Sequence, residues 1–143
     1  MLLLLVEGSV RDAGRRNEML KKLLKFLVVG SAGVVVNSLA LILLYQVVRL
    51  PLLIASATAV ELAIAHNFFL NNRWTFNQKR LSLRRFLKFN AVSLVGLLIT
   101  VSAVFVLVTY AGLHYLVANI AGISLATLWN FGLNLLWTWG WSE

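Results

Sequence analysis

The chain has 143 residues, 60% of them hydrophobic, with a mean hydropathy of +0.85 and a formal net charge of +8. A soluble domain of this size has no interior large enough for that much apolar surface, and most of the charge is gathered in two short stretches. Cysteine is absent and only 2 histidines and 5 acidic residues occur, which excludes disulfides, thiolate sites and redox chemistry. Little is left for a metal cluster or an acid–base pair, so neither a catalytic residue, a cofactor nor a metal is expected.

In a chain this apolar the positive charge reads as membrane topology and attraction to anionic membrane lipids, not as nucleic-acid binding. Met1 to Val6 is too short an apolar run to span a bilayer, and it lacks the basic stretch and small-residue cleavage site of a signal peptide. Glu7 to Glu18 is polar and mixed in charge, expected as a flexible or surface-lying cytoplasmic leader. Residues 1–24 then form a leader and amphipathic collar ahead of a membrane domain over 25–143.

Four segments, near 25–48, 52–72, 88–111 and 115–138, can cross about 30 Å of hydrocarbon at about 1.5 Å per residue. Backbone groups in lipid must be satisfied within the segment, so these are helices. Arg49-Leu50-Pro51 makes the first outer turn, with proline ending one helix and allowing the next. Ala111 to His114 makes the second, with Gly112 as its flexible point. Of 13 Lys and Arg residues only Arg49 lies on the side of these turns. Arg11, Arg15, Arg16, Lys21, Lys22 and Lys25 precede the first span, and Arg73, Lys79, Arg80, Arg84, Arg85 and Lys88 lie between the second and third. The positive-inside rule places both termini and the 73–87 loop in the cytoplasm, as for a multi-pass protein of the cell (inner) membrane.

Residues 25–76 recur as 88–139 at a constant offset of 63 and without a gap, with 17 of 52 positions identical. The identities include Lys25/Lys88, Phe26/Phe89, Gly33/Gly96, Ala55/Ala118, Asn67/Asn130, Asn71/Asn134 and Trp74/Trp137. Two spans per copy give both copies one orientation. The expected architecture is an all-α integral membrane fold of four transmembrane helices, built from two parallel two-helix repeats. Its working site is expected where the copies meet. Four helices are too few to enclose a wide polar path, so a homo-oligomer is expected.

Every fourth residue of span two reads Ala55, Ala59, Ala63, Asn67, Asn71, and of span four Ala118, Gly122, Ala126, Asn130, Asn134. Such positions share one helix side, and small residues there let backbones approach closely in lipid. The expectation is that spans two and four pack together in their outer halves. The four asparagines have two readings: amides bonding across helices, or the lining of a pocket for a phosphate or sugar headgroup, since amides both donate and accept. Trp74 and Trp137 read as interfacial anchors. Span one offers Gly30, Ser31, Gly33 and Asn37, and span three Ser93, Gly96 and Thr100. Arg84-Arg85-Phe86-Leu87-Lys88-Phe89 resembles Lys21-Lys22-Leu23-Leu24-Lys25-Phe26. Both read as amphipathic collars at the headgroups, placed before each odd-numbered span turns inward.

Glu61 is the one acid inside a span. A bare carboxylate at that depth costs several kcal/mol, so protonation, Asn37 or a second subunit is expected to partner it, with His66 and Arg73 as further polar neighbours. A proton-linked transport role is one reading of it.

The Asn67-Phe68-x-x-Asn71-x-x-Trp74-Thr75-Phe76 ending of span two, with Asn130-Phe131-x-x-Asn134-x-x-Trp137-Thr138-Trp139 and the Lys25-to-Gly33 opening of span one, resembles the GtrA-like family. That family also occurs as the membrane portion of dolichol-phosphate-mannose synthase-like enzymes. The resemblance covers residues from about Leu20 to Trp141. It implies cell-surface polysaccharide or glycolipid assembly by flipping or presenting a polyprenyl-phosphate-linked sugar. Lys25, Arg73 and Lys88 would attract the phosphate, and Asn67, Asn71, Asn130 and Asn134 would replace hydration of the headgroup. The chain itself is expected not to be an enzyme, a glycosyltransferase being a separate membrane-associated partner. Two rival readings are a non-transporting anchor that recruits such an enzyme through the 73–87 loop, and a small multidrug-type exporter using Glu61. The second copy departs from the first at Leu135 and Leu136, which replace Asn72 and Arg73.

Overall fold

A computed structural model describes residues 2–140, with side chains from 12 onward. The side chains of the opening apolar run and of Arg11 lie outside the described residues. Four long helices, α1 (Leu2–Ile42), α2 (Leu52–Leu70), α3 (Leu83–Thr109) and α4 (Tyr115–Leu133), account for most of it. No strand occurs among the described residues. Each helix is long and apolar enough to cross a membrane.

α1 is unbroken from Leu2 to Ile42, so the expected leader and collar run straight into the first span without a change of direction. Between Lys21 and Lys25 there is no proline, glycine or capping residue to stop it, and lysine and leucine are good helix formers. The second collar is likewise the first turns of α3, started by Ser82, whose hydroxyl accepts a hydrogen bond from the Arg85 backbone N–H at 3.5 Å.

α1, α2 and α4 end in π-helical turns at Leu43–Val47, Asn71–Thr75 and Asn134–Thr138. Wider bonds mark them: Val48 to the Leu43 carbonyl at 3.0 Å, Phe76 to Asn71 at 2.8 Å and Trp139 to Asn134 at 3.0 Å. Span two therefore reaches Thr75, past the expected end at 72, while span four ends at Thr138 as expected. At the outer turns Arg49 has φ 62 and Gly112 φ 65. Pro51 then stands before α2, and the His114 ring nitrogen accepts from the Leu116 N–H before α4.

Tight turns make α1 with α2, and α3 with α4, antiparallel hairpins, and these are the main helix pairings. The expectation that spans two and four pack together is overturned: α2 and α4 do not run side by side. Their small-residue stripes are buried against the preceding helix of the same hairpin instead. Ala55, Ala59 and Ala118 are fully buried, and a Cβ at Gly122 would lie 3.0 Å from the Thr100 carbonyl oxygen. The short turn decides this, because it delivers the stripe to its nearest neighbour in sequence before any other helix is available.

The two hairpins meet through an aromatic layer of Phe26, Phe68, Phe76, Phe89 and Phe131, with Trp139 packed onto it. Trp139 stacks on Phe76 at 4.0 Å and 9°, and Phe26 meets Phe131 edge-on at 5.7 Å. Such ring pairs add about 0.5–1.5 kcal/mol each beyond area burial.

Gly122→Leu should force α3 and α4 apart at Thr100 and cost on the order of 1–3 kcal/mol. Thermal unfolding in detergent would register it as a lowered midpoint. Gly132→Ala, where a Cβ meets nothing within 4 Å, should leave the midpoint unchanged or raised.

Candidate functional site

A cavity of about 230 Å³ lies among all four helices. At roughly 30 Å³ per water it corresponds to about seven or eight water volumes. Its lining contains three pairs of positions 63 apart: Phe26 and Phe89, Gly30 and Ser93, Asn67 and Asn130. Ser31, Asn71 and Thr127 add further polar groups. The lining holds no charged residue.

The amides reach this place because glycines make room for them. Asn67 lies against Gly33, where a Cβ would collide with the whole amide, and Asn130 lies against Gly96 in the same way. Asn71 and Asn134 are held by matching bonds from Thr75 and Thr138, each hydroxyl donating to the amide oxygen at 2.7 Å. The cavity takes in Asn67, Asn71 and Asn130. Asn134 is fully buried beside its threonine and does not line it. Asn130 Oδ1 and Asn134 Nδ2 are buried without a partner, as is Asn37 Oδ1. Buried polar atoms left in that state cost about 1–3 kcal/mol each.

The basic residues stand elsewhere. Lys25 donates to the Trp74 carbonyl at 3.3 Å with its ammonium 5.6 Å from the centre of that ring. Lys88 makes the same pair with Trp137 at 2.9 and 5.0 Å. Arg73 is exposed and donates to the Lys79 carbonyl at 3.2 Å. Lys25 and Arg73 border a second hollow, a basic groove of about 560 Å³ between α1 and the turn after α2. Six of the seven candidate headgroup residues are therefore divided among the cavity, the groove and the two lysine–tryptophan pairs, and Asn134 lies buried apart from all three.

Glu61 is exposed on α2 and outside the cavity lining, where its Oε2 accepts from Asn90 Nδ2 at 2.7 Å. The expected neighbours are otherwise engaged or remote: Asn37 has no bond to it, Arg73 faces Lys79, and His66 Nδ1 lies 3.3 Å from Asn67 Oδ1. Helix crossing at the α2–α3 contact brings Asn90 to the acid, a neighbour that spacing along one helix does not reveal.

Asn72 was not among the sequence candidates, and it is the most connected polar side chain at this end. Fully buried, it accepts from Arg85 Nη1 and from Trp139 Nε1, both at 3.1 Å. It donates to the Gln78 and Arg80 carbonyls at 3.3 and 3.4 Å. The 73–87 segment is thus pinned to the second hairpin. The signal for it was a difference: Asn72 is matched by Leu135, although the asparagines, tryptophans and threonines around it are identical in the two copies.

A family model described as the GtrA/DPMS transmembrane domain matches residues 25–139. The chain belongs to that family. It is a multi-pass membrane protein with four helices fit to span the bilayer. It is also similar to a protein of Pyrococcus furiosus named dolichol-phosphate mannosyltransferase, 36% identical over 120 residues. The match covers 82% of this chain and 34% of that relative, so the chain spans about a third of its length.

Asn72→Leu, the residue of the other copy, should remove all four hydrogen bonds and cost on the order of 1–3 kcal/mol. Hydrogen exchange should then quicken at the amides between Gln78 and Arg85, with the hairpin interiors little affected.

Proposed function

We propose that this protein translocates, or presents at the membrane, a polyprenyl-phosphate-linked sugar for cell-surface polysaccharide or glycolipid synthesis. The observation that carries the reading is the uncharged, amide- and hydroxyl-lined cavity enclosed by four apolar helices. A sugar headgroup loses its water on entering hydrocarbon, and Asn67, Asn71 and Asn130 offer donors and acceptors in exchange. Asn134 steadies the second π-helical turn beside them. The phosphate carries charge that this lining has no cation to meet, so it stays at the interfacial residues Lys25 and Arg73. The isoprenoid tail remains in lipid.

In this reading the two hairpins are parallel copies of one unit, both termini face the cytoplasm, and the bilayer is the inner membrane. The matched contacts at Gly33 and Gly96, at Thr75 and Thr138, and at Lys25 and Lys88 support the duplication. The clustering of Lys and Arg supports the orientation. The small bundle and the outward Glu61–Asn90 pair favour a homo-oligomer.

A second reading has its own support. The Pyrococcus relative is named as an enzyme and is about three times as long as the matched region, which fits a membrane anchor serving a glycosyltransferase. The pinned 73–87 segment would be the docking surface. An exporter driven by Glu61 is less well supported, because the acid stands outside the cavity.

Asn67→Ala combined with Asn130→Ala should lower leaflet exchange of a labelled polyprenyl-phosphate sugar in liposomes on the order of tenfold, at unchanged yield of folded protein. Unaltered exchange would remove the cavity from the mechanism. Arg80→Gln with Arg84→Gln separates the anchor, which would lose co-purifying glycosyltransferase, from the translocator, which would keep exchange in purified liposomes.

A further inference from the structure

We infer that lipid phosphate binds at one corner of the molecule only, the groove between α1 and the turn after α2, and not at the corresponding corner of the second hairpin. The inference rests on the reading of the protein as a handler of phosphate-bearing lipid, and it adds that docking is confined to one of the two matching corners.

Glu18, Lys21, Lys22 and Lys25 fall on one stripe of α1 at spacings of three and four. All four border the groove, and Arg73, Trp74 and Asn77 close it from the other side. Four cations and one carboxylate thus border it. Glu18 is bonded to Lys21 at 3.2 Å, and Lys25 and Arg73 each donate to one backbone carbonyl and keep further N–H groups for a ligand. Trp74 is 47% exposed beneath the Lys25 ammonium, a tryptophan–lysine pairing suited to headgroup depth.

The second hairpin carries nearly the same residues with a different outcome. Arg84, Arg85 and Lys88 match Lys21, Lys22 and Lys25. Both terminal nitrogens of the Arg85 guanidinium, however, are engaged, Nη1 on Asn72 Oδ1 at 3.1 Å and Nη2 on the Arg80 carbonyl at 2.6 Å, which turns it toward the loop. Leu136, 63% exposed, stands where Arg73 stands in the first. Lys88 holds the Trp137 carbonyl more closely than Lys25 holds that of Trp74, at 2.9 against 3.3 Å. The clasp that ties down the 73–87 segment therefore uses a cation that the second corner would need for a ligand. A phosphate diester or monoester of a membrane lipid finds converging donors at the first corner alone.

The test uses the full chain in phosphatidylcholine nanodiscs containing graded phosphatidylglycerol, with retained phosphatidylglycerol counted by native mass spectrometry. Lys25→Gln with Arg73→Gln should weaken retention on the order of tenfold, whereas Lys88→Gln should leave it unchanged. Arg73→Lys, which keeps the charge, should retain most of the binding and show that the loss is not one of folding. Millimolar inorganic phosphate should not displace the lipid. Equal weakening by Lys88→Gln, no weakening by the double variant, loss in folded Arg73→Lys, or ready displacement by free phosphate would each overturn the assignment. Because the measurement involves no sugar and no transport, it can fail while the amide cavity stands, and the cavity can fail while the groove stands.

Discussion

The fold turns on a single kind of contact: an asparagine amide laid against a helix that has no side chain at that point. Gly33 receives Asn67 and Gly96 receives Asn130. Without the glycines the amides would have to point elsewhere, and the two helices of each hairpin could not lie so close. With them, each hairpin carries its polar groups on an inner surface while leucine, valine and isoleucine cover its outside. An arrangement of this kind suits a solvent that satisfies no hydrogen bonds, because polarity is placed only where another polar group, or a ligand, can reach it. Asn37 Oδ1, Asn130 Oδ1 and Asn134 Nδ2, buried and unpaired, mark where that satisfaction is incomplete among the described residues.

Below the cavity, the same residues recur with different duties. Both hairpins end in a π-helical turn closed by an asparagine–threonine bond, and both place a lysine over an exposed tryptophan. The likeness stops at Asn72. Its amide gathers the indole of Trp139, the guanidinium of Arg85 and two loop carbonyls. Leu135, its counterpart, joins the aromatic layer as an apolar member. The two ends diverge here: Arg85 is held by Asn72, whereas Lys25 and Arg73 border the basic groove.

Much of this was readable in the residues. Hydropathy and the Pro51 and Gly112 turns locate four helices, because membrane spans must be long and continuous. The offset of 63 also names the pairs that meet in the cavity, Asn67 with Asn130 and Phe26 with Phe89. What spacing cannot supply is the identity of a partner. The alanine stripes announce close packing but not that α1 and α3, instead of each other, would receive them. The neighbour of Glu61 was missed for a similar reason, since Asn90 arrives from a different hairpin at an oblique crossing. The end of span two was placed short because a π-helical turn continues the helix to Thr75, past residues that read as interfacial.

A duplicated hairpin has a hazard of its own. Two surfaces so alike can pair between molecules as readily as within one, giving exchanged or open-ended assemblies. Asn72 works against the pairing of two first or two second hairpins, because its partners Arg85 and Trp139 belong to the second hairpin and Leu135 offers no equivalent set. Only a first hairpin set against a second one satisfies it, so the feature that makes the molecule lopsided also disfavours the joining of two like halves.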